Sequence, residues 1–215
     1  MRTRRIPRGF GQYSPPSYFD EGWANVFVSG CQNIGVDPYG AAQLIIGESG
    51  WNPAAQNPSG AAGLNQLASG NYSIFENDGL SLSQYLNLPV SQQLPYVFKY
   101  WQEQVSNAGV STISARDLYW LNWVPALYVP GSPDSYVIQN QGDPYYSADL
   151  DIGNKGYITA GDLSTRLANQ ATNNPNLWAY LESSIDAAGG WMPTTQWLTL
   201  GGIAAGFALY YLLKE

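Results

Sequence analysis

The stretch that most constrains the fold is GESGWNPAAQNPSGAAGLNQL, residues 47–67, in which glycine and proline recur every few positions. Such residues favour tight turns, so the stretch predicts a compact loop rather than a helix or a strand. The residues before it predict a helix, because Asp37 is a typical N-cap and Pro38 suits the first helical position. We therefore expect a helix that leads directly into a long, compact loop.

One carboxylate, Glu48, lies where the predicted helix ends and the loop begins. Ala41, Ile45 and Glu48 share one helical face, so the carboxyl is expected to point toward the apolar core. No lysine, arginine or histidine lies near it in the sequence to pair with it. Burial without a cationic partner raises the pKa of a glutamate, which suits a general acid near neutral pH. The alternative is a solvated glutamate at the end of an ordinary helix.

Composition narrows the classes of protein that the chain can belong to. Its 215 residues suffice for one main domain, and the absence of histidine excludes Ser-His-Asp and Cys-His nucleophilic sites and histidine-containing zinc sites. The single cysteine, Cys31, cannot form an intramolecular disulfide and is expected in the core. Only 12% of residues are charged and 14% are aromatic, which suits an aromatic-lined groove for uncharged ligands such as sugars, although aromatic residues also fill cores.

Apolar periodicity elsewhere predicts further helices and few strands. Two runs have helical spacing: Trp23, Val26, Phe27, Cys31 and Ile34, and then Leu94, Val97, Phe98, Trp101 and Val105. Gly35 is the expected end of the first run. Ser114 with Asp117 has the spacing of a capping box and predicts another helix that continues to Asn122. The predicted fold class is therefore mostly α.

The loop that follows the helix of Glu48 also resembles a known family. Read as ES-GWNP-A-NPSGA-GL-Q, it is similar to the signature of soluble lytic transglycosylases and goose-type lysozymes, above all their phage-borne members. The resemblance implies a lysozyme-like domain over residues 18–190 that cleaves peptidoglycan, with Glu48 as acid and base. It also implies that Asn57 orients the acid and that Gln66 holds the sugar. Asn65 departs from the pattern, because the family usually has an apolar residue there.

A second stretch, DLYWLNWVPA at residues 117–126, resembles a variant of the family's Ala-Tyr-Asn motif. Asn122 matches the asparagine of the motif, and the resemblance implies that it contacts the substrate or orients the acid. Leu121 stands where the tyrosine usually is, so Tyr119 or Trp123 is expected to supply the aromatic contact. On its own, the stretch is typical of an amphipathic core helix.

Residues 151–162, DIGNKGYITAGD, have the outline of an EF-hand calcium loop. Positions one, six and twelve are Asp, Gly and Asp, and position eight is Ile. Positions three and five are Gly153 and Lys155, where calcium needs oxygen ligands, and the lysine adds a positive charge. We therefore predict a degenerate loop without a metal, whose end caps the following helix, and we expect no cofactor.

The two ends of the chain differ from its acidic body. Residues 1–17 form a basic, Pro/Gly-rich arm that is predicted to be extended, and no apolar segment follows to make it a signal peptide. Its arginines suit nucleic acid, anionic lipid or a neighbouring subunit, or are simply solvated. Residues 197–213, WLTLGGIAAGFALYYLL, carry no charge and predict a transmembrane helix, with a buried C-terminal helix as the alternative. Gly202 and Gly206 suit self-association of such helices.

These features together predict where the protein works. A peptidoglycan-cleaving enzyme with a C-terminal anchor and no export signal is best delivered by a virion, as the resemblance to phage enzymes implies. We therefore expect a virion-associated lytic transglycosylase that acts on the host cell envelope during genome entry, with peptidoglycan, the membrane and other virion proteins as partners. The alternatives are a hydrolase of the lysozyme type and an inactive glycan-binding or structural membrane protein on the same fold.

Overall fold

The computed structural model describes residues 14–190, and this part of the chain is mostly helical, as predicted. Its α-helices are α1 Trp23–Ile34, α2 Pro38–Ser49, α3 Ser73–Glu76, α4 Leu82–Leu86, α5 Val90–Asn107, α6 Ala115–Trp123, α7 Ala160–Asn173 and α8 Pro175–Ala187. Two 3-10 turns occur at Ser69–Asn71 and Pro125–Leu127. Two strands, β1 Val137–Asn140 and β2 Tyr157–Thr159, pair antiparallel in a small sheet that the sequence pattern did not predict.

The helix that carries Glu48, α2, begins and ends as the sequence predicted. The Asp37 carboxylate accepts hydrogen bonds from the backbone N–H groups of Tyr39 and Gly40, at 3.2 and 3.3 Å. Gly50 ends the helix in the left-handed conformation, with φ of 62°, which glycine adopts without strain. Helices α1, α6, α7 and α8 pack around α2, so this helix is the buried centre of the domain.

Helix α1 shows where apolar periodicity succeeds and where it fails. Phe27 and Cys31 are fully buried, and Gly35 ends the helix in the left-handed conformation, all as predicted. Val26, which the pattern assigned to the same face, is 36% exposed, and that assignment is wrong. Val28 is buried instead, because α1 packs chiefly against α5 and the contact covers a face turned away from Val26.

The loop after α2 is compact, as predicted, and a buried glutamine from α5 holds it. Gln93 Oε1 accepts a hydrogen bond from the Leu64 backbone N–H at 2.7 Å, and Gln93 Nε2 donates to the Pro53 carbonyl at 3.0 Å. Gly63 adopts φ of 77°, and a Cβ at this position would lie 2.7 Å from the Tyr85 ring. The turn that precedes Asn65 therefore has one conformation, which requires glycine.

The EF-hand-like loop is closed by its own lysine. The Asp151 carboxylate accepts hydrogen bonds from the backbone N–H groups of Lys155 and Gly156, at 2.8 and 2.7 Å. The Lys155 ammonium lies 2.9 and 2.7 Å from the two carboxylate oxygens of Asp162. Thr159 and Asp162 form the capping box that starts α7, as predicted. Across residues 14–190, no group of three or more His, Cys, Asp or Glu side chains is placed to hold a metal ion.

The predictions for the chain ends fall mainly outside the described residues. Only positions 14–17 of the basic arm are described, and the predicted transmembrane helix at 197–213, with Gly202 and Gly206, lies wholly beyond them. Among the helices between residues 14 and 190, none combines the length and the apolar character that crossing a bilayer requires. The arm and the anchor therefore stay predictions.

Candidate active site

An open cavity of about 270 Å³ lies at the C-terminal end of α2. Four of the five predicted site residues line it: Glu48, Asn57, Gln66 and Asn122. They come from three separate elements, namely α2, the loop that follows it and α6. Of the described residues that line the cavity, Glu48 alone carries a carboxylate. The fold thus collects most of the predicted residues around one acidic group.

The surroundings of Glu48 shift the balance of this carboxyl toward its neutral, protonated form. Burial raises the pKa of Glu48 to about 7, while a hydrogen bond from Asn122 and the positive charge of Arg166 oppose that rise. Asn122 Nδ2 donates to Glu48 Oε1 at 3.3 Å. A carboxyl group with this pKa can both donate and accept a proton near pH 7, which acid-base catalysis requires.

The raised pKa of Glu48 was predicted from the sequence, but its cationic neighbour was not. Arg166 lies on α7, far along the chain, and packing of α7 against α2 brings the guanidinium close enough to act on Glu48. Neighbours in the sequence alone therefore did not reveal every charge that acts on the Glu48 carboxyl. In the sequence, Arg166 is simply a basic residue in an amphipathic helical segment, and nothing there indicates that it lies near Glu48.

The two predicted loop residues, Asn57 and Gln66, line the cavity without bonding to Glu48. Asn57 Oδ1 accepts a hydrogen bond from the Ala61 backbone N–H at 2.9 Å. Gln66 has φ of 50°, and its Nε2 donates to the Gly63 carbonyl at 3.1 Å. Both side chains hold the loop in the shape that forms the cavity wall. Of the two residues that were expected to orient the acid, Asn122 contacts Glu48, whereas Asn57 bonds within the loop.

The aromatic residues of the cavity differ from those predicted. Tyr119 was expected to contact the substrate, but it is only 5% exposed and does not line the cavity. Helix α7 packs against α6 and brings the positive charge of Arg166 close to this phenol. Trp123, the alternative to Tyr119, does line the cavity.

Tyr100, on α5, is an aromatic cavity residue that the sequence analysis missed. Burial raises its pKa, and the negative charge of Glu48 raises it further, which reflects how close the phenol lies to the carboxylate. Tyr100 directly precedes Trp101, which was predicted to lie in the core. The apolar periodicity of this helix therefore indicated its buried face but gave no sign that Tyr100 belongs to a site. Only the packing of α5 beside the end of α2 reveals the tyrosine as part of the cavity.

Comparison with known proteins agrees with this geometry. The family model for the Transglycosylase SLT domain matches residues 26–88, which include α1, α2 and the loop with Asn57 and Gln66. Neither the curated proteins nor the solved structures gave a significant match. Members of the SLT domain family are lytic transglycosylases that act on peptidoglycan. The match of residues 26–88 thus supports a link to the lysozyme-like lytic transglycosylase superfamily and an enzyme that acts on peptidoglycan.

Proposed function

We propose that Glu48 is the general acid and base of a lytic transglycosylase that cuts the MurNAc-GlcNAc β-1,4 bond of peptidoglycan. The observation that carries this proposal is the state of Glu48, a partly buried carboxyl with a pKa of about 7 in an open cavity. The match of residues 26–88 to the SLT domain supports peptidoglycan as the substrate.

In the first step, protonated Glu48 gives its proton to the glycosidic oxygen as the bond from that oxygen to C1 of MurNAc breaks. In the enzymes that the chain resembles, the N-acetyl group of MurNAc stabilises the positive charge that develops at C1. The leaving GlcNAc oxygen departs as a neutral hydroxyl. Glu48 is then an ionised carboxylate, and the Asn122 amide and the Arg166 charge favour that form.

In the second step, the ionised Glu48 accepts the proton of the MurNAc 6-hydroxyl while that oxygen forms a bond to C1. The product is a 1,6-anhydro end, the proton returns to Glu48, and no water is consumed. A pKa near 7 suits both steps, because the group must be protonated at the start and basic halfway through.

The cavity wall suits a glycan chain. Trp123, which is half-buried, offers aromatic surface, and Asn57 and Gln66 offer amides, which together match the apolar faces and hydroxyls of a sugar ring. A single carboxylate among the described lining residues favours transglycosylation over hydrolysis, since glycoside hydrolysis usually employs two carboxylates. The lysozyme-type alternative therefore needs a second carboxylate that the described cavity wall does not supply.

We further propose that the enzyme acts from a virion and attaches to a membrane through residues 197–213. The uncharged apolar sequence of that segment and the resemblance of the loop after α2 to phage-borne enzymes support this setting. Gly202 and Gly206 would pair such helices, and the arginines of residues 1–17 would contact anionic lipid, nucleic acid or another virion protein.

Replacement of Glu48 by glutamine tests the assignment of the acid. The amide keeps the shape of the side chain and removes the transferable proton, so cleavage of purified peptidoglycan should slow by at least ~100-fold with the fold intact. Glu21→Gln, which changes an exposed glutamate outside the cavity, is the matched control and should retain the wild-type rate. Near wild-type cleavage by Glu48→Gln would overturn the assignment.

A further inference from the structure

The amide of Asn122 uses all of its hydrogen-bonding capacity within the protein. Its Oδ1 accepts from Trp101 Nε1 at 2.9 Å and from Asn65 Nδ2 at 3.4 Å. Its Nδ2 donates to Glu48 Oε1 at 3.3 Å and to the Asn65 carbonyl at 3.2 Å. An asparagine amide offers two acceptor positions and two hydrogens, so none is left for a substrate. Asn122 therefore acts on Glu48 rather than on the sugar.

The indole of Trp101 decides which way this amide faces. An indole nitrogen donates a hydrogen bond and cannot accept one, so only the oxygen end of the Asn122 amide fits against it. Trp101 is fully buried and packs edge-on against Phe98, with 5.6 Å between ring centroids, which keeps its N–H directed at Asn122. With its oxygen held by Trp101, Asn122 must present its N–H group to Glu48.

We infer that Trp101 is a positioning residue for Glu48, which acts through Asn122 to keep a hydrogen-bond donor against the reacting carboxyl. This inference rests on the proposed role of Glu48. The donor stabilises the ionised carboxylate, the form needed when the 6-hydroxyl gives up its proton. Without the indole N–H, the Asn122 oxygen loses the shorter of its two donors, and the amide turns its oxygen toward Glu48 more readily. That orientation favours the protonated carboxyl and hinders the second step.

Asn65 supports the same arrangement from the loop. It is 1% exposed, its carbonyl accepts from Asn122 Nδ2, and its side-chain amide donates to Asn122 Oδ1. This explains why an asparagine stands at a position where the resemblance led us to expect an apolar residue. The side chain that departs from the pattern binds both ends of the Asn122 amide.

Other titratable groups face Glu48 from the helices around it, and the test must separate their effect on the Glu48 pKa from that of the Trp101–Asn122 contact. Arg166, on α7, favours the ionised carboxyl. Tyr119, on α6, and Tyr100, on α5, are phenols whose own pKa values rise through burial first and then through the Glu48 charge. Replacement of the Trp101 indole leaves all three side chains in the sequence. A change in the Glu48 titration then reports on the Trp101–Asn122 contact.

The test is a titration of Glu48 in the full chain with Trp101→Phe. The carboxyl ¹³C resonance of Glu48, assigned by its loss in Glu48→Gln, should titrate about 0.5 to 1 pH unit higher than in the wild type. Turnover of glycan strands should fall ~10-fold while KM changes far less, since the donor acts on the reacting carboxyl and not on substrate binding.

Trp51→Phe is the matched control. Trp51 is also fully buried, and its Nε1 donates to the Ala42 carbonyl at 3.1 Å, away from Asn122. Its replacement removes one buried indole hydrogen bond and should leave the Glu48 titration where it is in the wild type. A Trp51→Phe shift as large as that of Trp101→Phe would overturn the inference, because it would reflect general loosening of the core.

A double variant tests the route through Asn122. Asn122→Ala should raise the Glu48 pKa by itself, and adding Trp101→Phe should then change the titration no further. Shifts that add would overturn the inference. In the unmodified protein, the Trp101 indole ¹H–¹⁵N resonance should move with the midpoint of Glu48 while that of Trp51 does not, and an unmoved Trp101 resonance would also overturn it.

The outcome separates this inference from the proposed function. The titrations need no turnover, so a shifted Glu48 pKa in a chain that cuts no peptidoglycan would refute the function and leave the positioning role standing. The positioning role alone would be refuted if Glu48→Gln abolishes the cleavage seen with the wild type but the Glu48 titration is unshifted in Trp101→Phe.

Discussion

Because burial raises the pKa of Glu48, replacement of this residue should stabilise the protein in a pH-dependent way. The pKa rises from an ordinary value of 4.5 to about 7 in the folded protein, so the folded state binds a proton more tightly than the unfolded chain does. The stability that this carboxyl contributes is then fully present below pH 4.5 and is lost progressively as the pH rises from 4.5 through about 7. Glu48→Gln cannot ionise and escapes that loss.

The size of the effect follows from the same pKa values. A change from 4.5 to about 7 corresponds to about 3 kcal/mol at pH 8. Because Glu48 is only partly buried, we expect about 2 kcal/mol, which raises the melting temperature of a domain of this size by ~4–8 °C. At pH 4 the charge effect disappears, since both chains carry a neutral group at position 48.

The assay is thermal and urea unfolding of the full chain and its Glu48→Gln variant from pH 4 to pH 8. The difference in stability should grow across the interval from pH 4.5 to 7 and then level off. Glu21→Gln, at an exposed position outside the cavity, provides the reference for the loss of one negative charge. A stability difference between Glu48→Gln and the wild type that stays constant from pH 4 to pH 8 would refute the raised pKa.

Three further predictions concern the charge behind the cavity, the EF-hand-like loop and the C-terminus. Arg166→Gln removes the charge that lowers the Glu48 pKa, so the alkaline limb of the pH–rate profile should move to higher pH. The control is Arg116→Gln, which changes an arginine that pairs with aspartates outside the cavity and should leave the profile unmoved. Millimolar calcium should leave the melting temperature nearly unchanged, because the Lys155 ammonium already pairs with the Asp162 carboxylate at the last position of the loop. A rise of several degrees in the melting temperature would contradict this prediction. The full chain should partition into detergent or lipid, and a chain shortened after Gly190 should remain in water. A full chain that is monomeric without detergent would count against the predicted membrane anchor.

Local chemistry explains how much of the fold was predictable. The start of α2 at Asp37 and Pro38 and its end at Gly50 depend on neighbouring residues alone, so sequence rules located the helix and placed Glu48 in its last turn. The same holds for the capping box of Thr159 that starts α7. The β-hairpin was missed because its strands have four and three residues and lie on either side of the EF-hand-like segment, too short for a periodic signal.

Long-range packing explains what could not be predicted in the site. The resemblance of residues 117–126 to the family motif led us to expect both Tyr119 and Asn122 in the cavity. Helix α7 packs against α6 and brings Arg166 close to Tyr119, which no pattern within α6 indicates. Trp101 looked like an ordinary core residue for the same reason, since its partner Asn122 belongs to another helix.

The central claim is that Glu48 drives cleavage without water, and the mass of the products tests it most directly. Purified peptidoglycan digested with the full chain should release glycan fragments that end in 1,6-anhydro-MurNAc, one water lighter than the hydrolytic product. Those fragments should disappear with Glu48→Gln and persist with Glu21→Gln. Reducing MurNAc ends from the wild-type enzyme would contradict the account and identify a hydrolase instead.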